Sequence, residues 1–137
     1  MTEPRRLRNF VNGEYVDTHQ GLTTDVVDPT NGEVVAQAPL STPEDVDMAY
    51  SAAADAFEGW RDATPSVRQK ALLDLADAIE RRADELVAAE VENCGKPTEL
   101  TRSEEIGPMV DQIRFFAGAA RVLDGKAAGE YMEGHTS

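Results

Sequence analysis

The stretch TPSVRQKALLDLADAIERRADELVAAEVENCGKP, residues 64–97, decides how this chain folds. Its apolar residues recur at intervals of three and four with charged residues between them, which predicts an amphipathic helix. Thr64 is placed to cap the helix with its hydroxyl, and Pro65 suits a first position that needs no N–H. Gly95 and Pro97 predict the C-terminal end of the helix. The apolar positions are Val67, Ala71, Leu72, Leu75, Ile79, Ala83, Leu86, Val87 and Val91.

This stretch is one helix or two helices in line. The residues Arg81-Arg82-Ala83-Asp84 offer a break, with Asp84 as the N-cap of the second helix, and an unbroken helix fits the same pattern.

Two turns upstream predict strands. Asn12-Gly13 lies between the apolar pairs 10–11 and 15–16, and both turn residues tolerate positive φ, which is typical of a hairpin. A second pair of strands, near residues 26–27 and 34–36, flanks the turn at 28–32. Residues 1–40 therefore predict a small antiparallel β-meander.

Two more helices flank the hairpins and the central stretch. One begins at Thr42-Pro43 and has apolar residues from Val46 to Trp60 at helical spacing. The other follows Pro97, and Gly107-Pro108 should kink or interrupt it because proline lacks a donor and clashes with the preceding turn. Asp124-Gly125 should end it. The pattern is α/β: a meander followed by three helices.

Composition narrows the class of function. The chain has 137 residues and a net charge of -13, which argues against binding to nucleic acid or to anionic membranes. It contains no apolar run of membrane-spanning or signal-peptide length. One cysteine, Cys94, excludes an intramolecular disulfide and fits a reducing compartment, so a cytoplasmic location is expected.

The residues alone reveal no active site. Cys94 is predicted at a helix C-terminus, where the helix dipole disfavours a thiolate, and one cysteine with two histidines cannot supply a four-ligand zinc site. Gly95-Lys96-Pro97 lacks the upstream glycine and the hydroxyl residue of a phosphate loop, and no G-x-G-x-x-G or G-x-S-x-G occurs. Paired acids such as Glu104 and Glu105 are expected on solvated helix faces.

Five motifs together resemble the N-terminal part of aldehyde dehydrogenases. In order, they are FVNGE at 10–14, DPTNGEV at 28–34, AFEGW at 56–60, NCGKP at 93–97 and RFFAG at 114–118. The segments 127–131 and 133–137 resemble the gamma-aminobutyraldehyde dehydrogenase branch.

The resemblance implies NAD-dependent oxidation of an aldehyde, in particular an aminoaldehyde such as 4-aminobutanal, to the carboxylic acid. It implies that residues 1–125 open a Rossmann-like NAD-binding domain and that residues 126–137 begin the oligomerisation strands of a homotetramer or homodimer. The family's catalytic cysteine, glutamate base, oxyanion-hole asparagine and cofactor loop have no counterpart here. The chain alone is therefore expected to be an inactive N-terminal fragment, and the choice between NAD and NADP stays open.

The resemblance also implies two sets of site residues. Val26 and Val27 would supply backbone oxygens to a sodium or potassium ion, together with Asn93, where the family more often has aspartate. The competing interpretation makes Asn93 only a helix-terminal residue. Glu105, Met109 and Gln112 would border the substrate channel, with Glu105 facing a substrate ammonium. The alternative to the enzyme is a non-catalytic acidic module that binds a protein partner.

Overall fold

Strands come first and long helices follow, with a short strand pair near the end, so the chain is α/β as the sequence predicts. The computed structural model describes residues 3–122 and 130–136. These residues divide into two units. The first contains the residues up to Arg61 together with Glu92–Gly95, and the second contains Asp62–Val91 and the residues from Lys96 onward.

The first unit holds two small sheets and a long helix. Its elements are β1 (Arg5–Arg6), β2 (Asn9–Val11), β3 (Glu14–Val16), β4 (Thr23–Val27), β5 (Val34–Pro39) and α1 (Pro43–Arg61). Both predicted hairpins are confirmed, since β2 pairs antiparallel with β3 and β4 pairs antiparallel with β5. The first hairpin turns at Asn12 and Gly13, whose φ values of 51° and 82° are the left-handed values that such a turn requires.

The two hairpins do not form one continuous meander. The pair β2–β3 is a sheet of its own, whereas β1 joins β4–β5 by pairing parallel with β5. Arg5 in β1 is opposite Ala36 in β5. A two-residue strand of arginines has no apolar alternation, so no periodicity in the sequence predicts it.

The second unit is mostly helical. Its elements are α2 (Pro65–Arg81), α3 (Ala83–Cys94), α4 (Thr98–Thr101), a π-helical turn (Arg102–Ile106), α5 (Gly107–Ala119), β6 (Glu130–Met132) and β7 (His135–Thr136). The last three residues of α3 belong to the first unit.

The central stretch forms two helices, and Arg82 is the residue between them. Pro65 occupies the start of α2 as predicted, but the Thr64 side chain does not cap it. The Thr64 hydroxyl instead lies 3.1 Å from Ser66 Oγ. The expectation for Asp84 is also wrong, because α3 begins at Ala83 and Asp84 lies inside its first turn.

The predicted interruption near Gly107-Pro108 is a π-helical turn. This turn ends at Ile106, and Pro108 follows in the first turn of α5. The backbone stays helical through Ile106 and Gly107, so the wider π-helical turn accommodates the proline without ending the helix. Helix α5 ends at Ala119 and residues 120–122 are not helical, so the helix stops earlier than predicted; residues 124–125 lie outside the described residues.

Helices α2 and α5 pack on each other through small and branched residues. Ala76 on α2 and Ala117 on α5 are fully buried, and Val110 on α5 is buried. Arg114 ties the two helices at the surface, donating to Glu80 Oε2 at 2.7 Å and to Asp77 Oδ1 at 2.9 Å. The buried face of α2 therefore differs from the predicted one. It contains Ala76, a small residue that permits close approach of α5.

Large apolar residues that the sequence assigned to helix cores are exposed among the described residues. The most exposed of them on α1, α2 and α5 are Tyr50, Phe57, Trp60, Val67, Leu75 and Phe116. None of the described helices combines the length and the apolar character needed to cross a membrane.

Gly95 ends α3 in the predicted left-handed conformation, with φ at 70°. A Cβ built on this residue would lie 3.1 Å from Pro29 Cγ and 3.3 Å from Thr30 Cγ2, atoms of the β4–β5 turn. The absence of a side chain therefore allows the end of α3 to approach this turn within the first unit.

We predict that Gly95→Ala lowers the free energy of unfolding by about 1–3 kcal/mol, because alanine is strained at this φ and meets a close neighbour. Gly59→Ala is the matched control: Gly59 lies within α1, and apart from its chain neighbours and the adjacent helix backbone no atom lies within 4 Å of its built Cβ. That change should raise stability by roughly 0.5–1 kcal/mol. Chemical denaturation followed by circular dichroism measures both, and equal effects of the two substitutions would contradict the close approach.

Candidate functional site

A buried carboxylate organises the start of α1. Asp45 is 3% exposed, and its Oδ2 accepts the Thr42 backbone N–H at 2.8 Å. Its own backbone N–H donates to Thr42 Oγ1 at 3.3 Å, so residues 42 and 45 cap the helix reciprocally. Asp45 Oδ1 accepts the backbone N–H of His19 at 3.0 Å and lies 2.9 Å from His19 Nδ1. One side chain thereby joins the β3–β4 loop to the helix.

The contacts of this carboxylate shift the pKa values of both partners. The Thr42 backbone N–H, followed by the His19 side chain, lowers the pKa of Asp45 well below its ordinary 3.8. The hydrogen bond with Asp45, followed by the charge of that carboxylate, raises the pKa of His19 above 6.5. Glu44 adds a weaker attraction to the imidazolium. Asp45 therefore stays ionised through the range in which His19 titrates.

The junction from β5 to α1 offers no cradle for a dinucleotide phosphate. A phosphate at a helix N-terminus needs unoccupied backbone N–H groups and a local excess of positive charge. Here the N–H groups of Thr42 and Asp45 are used within the cap, and the Asp45 carboxylate occupies the position where an anion would bind. The residues of this junction do not fit the pyrophosphate of NAD.

A second charged cluster joins α3 to the π-helical turn. Lys96 Nζ donates to Glu90 Oε1 and to Glu105 Oε1, each at 2.7 Å. The hydrogen bond to Glu105, followed by that to Glu90, raises the pKa of Lys96 above 10.5. All three side chains are about 40% exposed, so solvent weakens the pairing. π-Helical turns often occur at functional sites, and this one carries Glu105.

The three predicted channel residues lie on the π-helical turn and the first turns of α5. Glu105 is half-buried beside Lys96, whereas Met109 and Gln112 are exposed. Their intervals of four and three residues place them near one another along the helix. The ammonium group of Lys96 therefore lies beside Glu105, a contact that the sequence did not predict.

The predicted cation residues lie in the first unit. The β4–β5 ladder changes register between Val26 and Val27, the two residues expected to offer carbonyl oxygens. Asn93 is exposed near the end of α3, and its side-chain amide nitrogen lies 3.5 Å from Cys94 Sγ. The approach of Gly95 to the turn after Val27 draws the end of α3 toward β4.

The turn after Val27 is held by Asp28. Its Oδ1 accepts the Thr30 hydroxyl at 2.6 Å and the Thr30 backbone N–H at 2.8 Å, and these bonds lower the pKa of Asp28. Across residues 3–122 and 130–136, no group of three or more histidine, cysteine, aspartate or glutamate side chains is placed to hold a metal ion. This finding concerns side chains, so it does not test a cation site that uses the backbone carbonyl oxygens of Val26 and Val27.

The sequence analysis did not predict the cap between Thr42 and Asp45 or the contact between His19 and Asp45, for different reasons. The spacing Thr42-x-x-Asp45 is a capping signal that the sequence displays, and it would have identified the role of Asp45. Nothing in the local sequence connects His19 to a helix that begins at Pro43.

Comparison with known proteins gives one consistent family. The model of the aldehyde dehydrogenase family matches residues 15–137. Aldehyde dehydrogenase 1 of Tanacetum cinerariifolium is 41% identical over 118 residues, covering 85% of this chain and 24% of that protein. Malonate-semialdehyde dehydrogenase of Bacillus subtilis subsp. natto is 34% identical over 125 residues, covering 91% of this chain and 26% of that protein. The chain spans about a quarter of the length of these curated relatives.

Solved structures agree. PnpE in complex with nicotinamide adenine dinucleotide superposes with a TM-score of 0.84 at 32% identity, covering 89% of this chain and 25% of that one. The NAD-dependent aldehyde dehydrogenase from Sinorhizobium meliloti superposes with a TM-score of 0.84 at 33% identity, covering 98% of this chain and 27% of that one.

We predict a stability maximum set by His19 and Asp45. The raised pKa of His19 means that its contribution is complete below about pH 6.5 and is lost as pH rises through the folded-state pKa. The lowered pKa of Asp45 means that its contribution is present above about pH 4 and is lost as pH falls.

Thermal unfolding midpoints of the protein and of His19→Gln should therefore differ most between these limits and converge above neutral pH. His135→Gln is the control, because the described contact of the His135 ring is with an uncharged group, the backbone carbonyl oxygen of Glu133. A difference between the protein and His19→Gln that does not change with pH would contradict the ion pair.

Proposed function

The chain belongs to the aldehyde dehydrogenase family, and on this premise we propose that the protein oxidises an aldehyde to the carboxylic acid with NAD. The observation that supports this most strongly is the family match across residues 15–137, together with the superposition on an NAD complex. NAD serves as the hydride acceptor in such a reaction. The β5–α1 junction does not fit the pyrophosphate of this cofactor, and we assign the described residues to the scaffold and to the surface that the substrate meets.

We further propose that the substrate is an aminoaldehyde such as 4-aminobutanal. This proposal is supported by the resemblance of the segments 127–131 and 133–137 and by the placement of Glu105 on the π-helical turn. Glu105 uses Oε1 for Lys96, and a carboxylate has further lone pairs that can accept from a substrate ammonium. Met109 and Gln112 would line the same channel. The proposal includes a cytoplasmic location and a homotetramer or homodimer.

We also propose that a sodium or potassium ion binds near Val26, Val27 and Asn93. Hard cations prefer oxygen ligands, and the register of the β4–β5 ladder shifts between Val26 and Val27, which interrupts its regular hydrogen bonding there. The Asn93 amide nitrogen lies toward Cys94, which leaves its oxygen as an acceptor. A neutral amide in place of a carboxylate predicts weak binding.

One assay tests the reaction and the cation together. NADH formation from 4-aminobutanal should be measured with the full-length protein and with the 137-residue chain, in sodium, potassium or choline chloride at equal ionic strength. We expect activity only in the full-length protein and a decline in choline chloride. NADH production by the 137-residue chain would contradict the assignment of its residues. Inactivity of the full-length protein would favour the non-catalytic acidic interaction module.

For substrate choice, Glu105→Gln in the full-length protein should raise KM for 4-aminobutanal about two- to five-fold, because it removes one partly exposed charge from the ammonium. KM for butanal should not change. Glu104→Gln is the matched control, since it removes the same charge from the neighbouring exposed residue. Equal changes for the two aldehydes would remove Glu105 from substrate recognition.

A further inference from the structure

The first unit contains a groove between the β2–β3 hairpin and α1. Its volume is about 660 Å³. Val11 and Val16 line it from one face of the hairpin, and the small residues Ser51, Ala52 and Ala56 line it from α1. Because these helix residues are small, the space between hairpin and helix is left open. This hairpin groove has an apolar floor and is wide enough for side chains of another molecule.

Carboxylates lie on both walls of the hairpin groove. Glu14 is on β3 and Asp55 is on α1, and the lining contains no arginine or lysine. Among the described residues neither carboxylate has an ion-pair partner, whereas Asp17 after β3 interacts with Arg6 and Arg8. The groove therefore combines apolar surface with negative charge that the described part of the chain does not neutralise.

The hairpin also has unpaired strand edges. Among the described strands, β2 and β3 pair with each other and with no other strand, through the register Asn9↔Val16 to Val11↔Glu14. In a two-stranded sheet each strand keeps one edge of backbone N–H and C=O groups, and an extended segment can pair with such an edge. This observation is independent of the charges, and it favours an extended ligand over a helical one.

We propose that the hairpin groove docks an extended peptide segment of a partner protein that carries lysine or arginine. The aliphatic stems of these side chains would cover Val11, Val16 and Met48, while their charged ends reach Glu14 and Asp55. The same face of a second copy does not complement the groove, because it would bring the same carboxylates and no lysine or arginine. This proposal is separate from the proposed oxidation of aldehydes.

The test uses a fluorescein-labelled pentapeptide that alternates valine and lysine, titrated with the full-length protein and followed by fluorescence anisotropy. Binding is expected, and Glu14→Gln and Asp55→Asn should each weaken it about two- to five-fold. Ala52→Leu, which fills the groove without changing charge, should weaken it at least as much. The same peptide with acetylated lysines should bind at least ten-fold more weakly.

Asp47→Asn is the matched control, because Asp47 is exposed on the same helix but does not line the groove. It should leave peptide affinity unchanged. If Asp47→Asn weakens binding as much as Asp55→Asn, the attraction is due to overall charge and the proposal is wrong. Absence of binding at 1 mM protein, or displacement of the peptide by an equal concentration of 1,5-diaminopentane, would also overturn it. Circular dichroism of each variant verifies that the fold is retained.

Discussion

The buried carboxylate of Asp45 is the constraint on which the first unit depends. Removing an ionised group from water is unfavourable unless hydrogen bonds replace its hydration. Asp45 meets this requirement with the backbone N–H groups of Thr42 and His19 and with the His19 ring. These partners come from the helix start and from a loop far earlier in the sequence, so satisfying one charge fixes the position of two segments.

The same carboxylate limits what this part of the chain can do chemically. A helix N-terminus that begins after a strand is a common place for a cofactor phosphate, and here an internal carboxylate occupies it. In the second unit the charged groups pair near the surface: Arg114 and Lys96 each contact two carboxylates. In an acidic chain such pairs reduce repulsion between neighbouring helices, and they bring Glu105 into contact with a cation.

Much of the fold could be predicted because local signals were strong. Asn12-Gly13 predicted the first hairpin, Pro65 the start of α2, and Gly95 the end of α3, since each residue suits a backbone conformation that few others adopt. The inward face of α2 was harder, because spacing identifies apolar residues but not the small residue, Ala76, that allows closest approach. Pairings between distant segments, such as β1 with β5, His19 with Asp45, and Lys96 with Glu105, leave no mark in local sequence. They depend on tertiary structure.

The most direct test of the role of Asp45 is amide hydrogen exchange of the His19 and Thr42 backbone N–H groups, in the protein and in Asp45→Ala. The structure predicts that both amides are protected in the protein and that both lose protection in the variant. The Leu40 amide, which donates to the Leu22 carbonyl, should keep its protection and serves as the internal reference. Retained protection of the His19 amide in Asp45→Ala would contradict the account.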